Sequence, residues 1–87
     1  MFADRIRDIG LKLMGRMDPE LISDAIAYAD NNEEFLGFET LCDHVAEYEV
    51  PLTSGEYDII FALARDMEMD VQTGTFKYLE KFANTAS

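Results

Sequence analysis

The chain is 87 residues long, with 18 acidic and seven basic residues and a formal net charge of −11. At that length it is read as a single domain, residues 1–87, that buries roughly two-thirds of its unfolded surface, enough for one modest core but not for a deep cleft beside a scaffold. The acidic balance weighs against direct binding of nucleic acid or anionic lipid, and the lone Cys42 excludes an internal disulfide.

An apolar fraction of 48%, with six Phe and four Tyr, supplies core material and argues against disorder despite the charge. No apolar run approaches the roughly 18 residues that a membrane span needs. The opening Met-Phe-Ala-Asp-Arg lacks the apolar core of a signal peptide. A cytoplasmic protein is the expectation.

The first segment, about residues 2 to 15, sets Phe2, Ile6, Ile9 and Leu13 at helical spacing, with Arg5, Lys12 and Arg16 on another face. Gly15 and the Met17-Asp18-Pro19 junction end it. Asp18 then reads as an N-cap, with Pro19 in the first helical position. The second helix runs to about Ala29, with Leu21, Ile22, Ala25, Ile26 and Ala29 as its apolar stripe. Asp30-Asn31-Asn32 breaks it. The third helix starts near Glu33 and ends before Pro51. Phe35, Phe38, Leu41, Cys42 and Val45 form one face, and Glu39, Asp43 and Glu47, four apart, line up on another.

Pro51 drives Val50 towards extended geometry, so a bend lies there. Thr53-Ser54-Gly55-Glu56 matches a capping box ahead of a fourth helix reaching about Met67. Tyr57, Ile59, Ile60, Phe61, Leu63 and Ala64 cover most of its circumference, which predicts a central helix. Residues 71 to 75 read as a loop containing Gly74. Phe76, Leu79, Phe82 and Ala83 predict a short fifth helix, and the tail from about residue 84 reads as frayed. The fold class is therefore all-α, a compact bundle of four to five short helices. Its expected core holds Ile6, Ile9, Leu13, Ile22, Ile26, Phe38, Leu41, Val45, Ile60, Leu63 and Ala64.

The requirements of catalysis and metal binding go largely unmet. His44 is the only histidine. Neighbouring Asp43 and His44 point about 100° apart on a helix and cannot form a relay pair by adjacency. Cys42 falls in the apolar stripe and reads as a buried, inert thiol. Cys42 and His44 alone do not make a zinc site. Asp30 to Glu34 fails the calcium-loop pattern, since Phe35 stands at the glycine position and Leu41 at the bidentate glutamate position. The chain reads as a non-enzyme without cofactors.

The charge is the outstanding signal. Between Met17 and Ala64 there are twelve carboxylates and no lysine or arginine. Such self-repulsion opposes a compact state. It serves solubility, or it serves a basic partner.

The stretch Phe38-Glu39-Thr40-Leu41-Cys42-Asp43-His44, followed by Ala46-Glu47-Tyr48-Glu49-Val50-Pro51-Leu52-Thr53, resembles the signature of MafI-type immunity proteins, also found beside contact-dependent growth-inhibition toxins. Glu56-Tyr57, Ile60, Leu63-Ala64 and Met67 continue the pattern, and the likeness covers about residues 18 to 70. The chain departs from it at Gly37, where a helix-favouring residue is expected, and in the last dozen residues. The resemblance implies a small cytoplasmic antitoxin. Its partner would be the C-terminal toxic domain of a cognate toxin, often a ribonuclease of EndoU type. A ribonuclease needs a basic groove for phosphate, and an acidic helix surface complements one. The alternative is an acidic interaction or nucleic-acid-mimic module that binds another basic protein. The residues expected to meet the partner are Glu33, Glu34, Glu39, Asp43, Glu47, Tyr48 and Glu49.

Overall fold

The computed structural model describes residues 2–71 and 74–83, apart from the side chains at 82 and 83. Five helices follow in order: α1 (Ala3–Lys12), α2 (Pro19–Asp30), α3 (Glu34–Glu47), α4 (Ser54–Asp66) and α5 (Gly74–Ala83). The protein is an all-α bundle. Among the described residues the only β-type pairing is an isolated bridge between Met14 and Met17. The side chains of Phe82 and Ala83, which helped to predict α5, and the expected fraying from residue 84 lie outside what is described.

Helix ends follow the local chemistry. Asp18 accepts the Glu20 N–H at 2.9 Å, and Pro19 opens α2. Thr53 and Glu56 form the reciprocal capping box of α4, with Glu56 N–H on Thr53 Oγ1 at 3.1 Å and Thr53 N–H on Glu56 Oε1 at 2.9 Å. Such a cap contributes about 0.5–2 kcal/mol. Helices α2, α3 and α4 each close with a residue at positive φ, Asn32, Glu49 and Glu68 respectively. In each case the next N–H returns to a carbonyl five residues back: Glu33 to Tyr28, Val50 to Val45 and Met69 to Ala64. These are Schellman closures, built here without the usual glycine.

One core joins side chains from all five helices. Ten of the eleven expected core residues are buried; Ile26 is half-buried, because it lies at the edge of the α2 stripe centred on Ile22, Ala25 and Ala29. The core also takes Val50 and Leu52 from the bend around Pro51, where extended backbone alternates inward and outward residues. Phe76 and Leu79 bring α5 in, and the Phe76 ring lies 6.1 Å from that of Phe38.

The central helix is α3, not α4. It packs on α1, α2 and α5, whereas α4 leaves Ile59 43% exposed at the surface. The most extensive contact is α2 on α3, and Gly37 sits in it. A Cβ at Gly37 would lie 2.6 Å from the Ala25 carbonyl oxygen and 3.0 Å from the Ala29 nitrogen. Both atoms are backbone, so only glycine permits this approach. Glycine at position 37, where a helix-favouring residue was expected, thus has a packing cause.

Arg16 ties the segment after α1 to the start of α4. Its Nη1 and Nη2 donate to Glu56 Oε1 and Oε2 at 2.7 and 2.5 Å, and further bonds reach the carbonyls of Pro51 and Lys12. The side chains are only 29% and 17% exposed, which makes this the most enclosed ion pair among the described residues. The bidentate hydrogen bond from Arg16, helped by the Thr53 N–H, holds the Glu56 carboxyl down at about 2.

Gly37→Ala should destabilise the fold by about 1–3 kcal/mol in denaturant titrations, although alanine gains about 1 kcal/mol of helix propensity, because the backbone of α2 cannot move aside locally. Gly55→Ala, where the nearest atom is Thr53 Oγ1 at 3.9 Å, should be neutral or stabilising. For Glu56 the folded carboxyl lies below its ordinary value, so it stabilises the fold above about pH 4.5 and that stabilisation is lost as pH falls towards 2. Wild type should therefore exceed Glu56→Gln by about 1–3 kcal/mol near pH 6. The gap should close across that acid window in unfolding curves taken at successive pH values.

Candidate partner-binding surface

The rotation of α3 sorts its acidic residues. With Gly37, Phe38, Leu41 and Val45 turned inward, Glu39, Asp43 and Glu47 face outward, and all three are exposed. Residues four apart step round by about 40°, so the three make one ridge. None of them pairs with a basic side chain among the described residues. Asp43 accepts a hydrogen bond from Thr75 Oγ1 at 2.8 Å, which links it to the start of α5. Like charges at this spacing cost a few tenths of a kcal/mol per pair, so the ridge does not help the helix.

Glu34 belongs elsewhere. It lies seven residues before Leu41 and so on the inward stripe, and its Oε2 accepts the N–H groups of Phe2 and Ala3 at 2.7 and 2.8 Å. Helix α1 has no side-chain cap of its own, and Glu34 supplies one from across the bundle. Burial pushes this carboxyl up, but the two backbone donors outweigh it and leave a net lowering. The heptad offset from Leu41 was the available signal for this role.

The remaining predicted residues separate along the helix. Glu33 is exposed just before the first turn of α3 and makes no side-chain cap. Roughly 20 Å further on, Tyr48 is 58% exposed beside Met17, Asp18 and Leu21, with its ring 6.1 Å from that of His44. The Glu47 charge, and to a smaller degree Asp18, raises the Tyr48 phenol. Glu49 is exposed at φ 50°, a conformation that favours glycine. The structure therefore aligns Glu39, Asp43 and Glu47 along one side of α3, leaves Tyr48 and Glu49 exposed at its end, and turns the half-buried Glu34 towards the start of α1.

Cys42 is buried, and burial followed by the charges of Asp43 and Glu39 pushes its thiol far up, against the thiolate form that a nucleophile needs. His44 is half-buried, and its Nδ1 has no hydrogen-bond partner among the described residues. No group of three or more His, Cys, Asp or Glu among them is placed to hold a metal ion. No described helix is long and apolar enough to cross a membrane.

Sequence reasoning missed a groove. Phe35, expected in the core stripe, is 52% exposed: it falls in line with Cys42, but the covering of α3 that buries Cys42 leaves Phe35 as an open wall. A space of about 340 Å³ lies there between α3, the segment after α4, and the start of α5. Comparison with protein-family models, with curated proteins and with solved structures finds no match for this chain.

Glu34 and Glu49 should respond oppositely to substitution. Glu34→Ala should lower the unfolding midpoint, because the first N–H groups of α1 lose their acceptor. Glu49→Gly should raise stability by about 0.5–1 kcal/mol by relieving the left-handed backbone at the end of α3. Thermal melts of the two variants check both directions.

Proposed function

We propose that the protein is an immunity protein, a cytoplasmic antitoxin that binds and neutralises the C-terminal toxic domain of a cognate contact-dependent or Maf-type toxin. The observation that carries this reading is the unpaired ridge of Glu39, Asp43 and Glu47. Arg5, Arg7, Arg16 and Lys77 each hold a carboxylate elsewhere, and no ion pair among the described residues reaches the ridge. A structure that leaves like charges aligned on its central helix is suited to a positively charged partner. A ribonuclease domain of EndoU type has that charge where it grips RNA phosphates. The resemblance over residues 18 to 70 points to the same class of partner.

In this reading the ridge steers encounter, and Tyr48 at its end supplies the short-range anchor, since exposed tyrosines are enriched among interface hot spots. Neutralisation is by occupancy: the acidic face stands where phosphate would lie. No catalytic group is required of the antitoxin.

Binding kinetics against the toxic domain test it. The triple change Glu39→Gln, Asp43→Asn, Glu47→Gln should slow association by about tenfold or more at low salt and flatten its salt dependence. Tyr48→Ala should act mainly on dissociation. Growth rescue by co-expression separates the immunity reading from a general acidic mimic, which would bind unrelated basic proteins equally well. A triple variant with the wild-type on-rate and salt slope removes the ridge as the docking surface.

A further inference from the structure

The geometry points to the groove between α3 and α5 as a seat for one arginine side chain of the basic partner. This rests on reading the partner as a basic protein and names the chemical group it presents. The groove has apolar walls, Phe35, Met69 and Phe76, and its acidic lining includes Glu39, Asp43 and Glu68. No basic side chain lines it among the described residues. At about 340 Å³ it lies at the low end of ligand-site volumes and has room for one long side chain. Its charge also repels phosphate.

The spread of the carboxylates selects the cation. They do not converge closely enough to hold a metal ion. A compact ammonium favours a converged site, whereas a guanidinium presents five N–H donors around a plane and satisfies acceptors on several sides. Phe35, half-exposed, offers a ring face on which that plane can stack. Met69 and Phe76 suit the methylene stem. The Thr75 hydroxyl fixes one oxygen of Asp43 between the two helices, so this carboxylate is positioned before any ligand arrives.

The test uses the full chain and nuclear magnetic resonance titrations with acetylated, amidated glycine-arginine-glycine. The same tripeptide with lysine or citrulline at the centre serves for comparison. Saturable shifts centred on the amides of Phe35, Glu39, Met69 and Phe76 are expected, strongest for arginine, weaker for lysine and absent for citrulline. Phe35→Ala and Glu68→Gln should each weaken arginine binding about two- to fivefold, while Asp24→Asn, exposed on α2 and outside the groove, should not. Helical circular dichroism confirms that each variant is folded. Equal response to arginine and citrulline overturns the proposal, as do shifts spread along Glu47 and Glu49 without saturation in the groove. The tripeptide experiment needs no toxin. A toxin domain that binds wild type and Phe35→Ala equally refutes the groove and leaves the immunity reading intact. Saturable arginine binding without any toxin partner supports the groove and removes that reading.

Discussion

At Gly37 two backbones meet with no room for a side chain, and much of the molecule's surface follows from that contact. The Ala25 carbonyl and the Ala29 amide of α2 stand where a Cβ would go. Helix α3 therefore presents one azimuth to α2. Phe38, Leu41 and Val45 then fall into the core, Glu34 falls beneath the start of α1, and Glu39, Asp43 and Glu47 are left in water. A helix of the same composition rotated by a quarter turn would bury carboxylates at a cost of several kcal/mol each. The close approach and the charge pattern agree on one orientation, and such consistency across levels is how a short chain specifies one packing.

A second set of contacts manages the charge. With seven cations against 18 acids, the chain places three of its four arginines where they join distant parts. Arg16 binds Glu56 and the carbonyls on either side of it, Arg7 binds Asp30, and Arg5 binds Asp66. The exposed pairs contribute little individually. The Arg16–Glu56 pair differs, because it is largely enclosed and Glu56 is also the capping residue of α4. One carboxylate thereby starts a helix and anchors it to the end of α1. Among the acids left over are those of α3 and its flanks.

Those leftover acids make two kinds of surface. The ridge on α3 is a long-range feature: its field extends about a Debye length, roughly 8–10 Å, and carries little geometric information. The groove beside it is a short-range feature, with walls, a floor and carboxylates at separate positions. Glu39 and Asp43 belong to both. Attraction and selection by the same residues would let a partner be drawn in by charge and then tested for shape, the division of labour expected of an interface that must be both fast and specific.

Helix positions, their ends and the charge asymmetry were legible in the chain itself. Periodicity, the Asp18-Pro19 start and the Thr53–Glu56 capping box act over a few residues, and local free energies decide them without reference to the rest of the molecule. Nearly all of the core was legible for the same reason, since an amphipathic stripe shows which face turns inward. Which helix is central was not, because α4 is apolar around most of its circumference yet lies at the side, and neighbours decide that. Nor was the fate of Glu34 against Glu39, the burial of Val50 and Leu52, or the exposure of Phe35. Each depends on what a distant segment covers: Phe2 and Glu34 are 32 residues apart, Arg16 and Glu56 are 40 apart. A carboxylate within an acidic stretch looks the same whether it caps another helix or faces water. Only the packing of α2 against the bare backbone of Gly37, which sets how α3 is turned, tells the two apart.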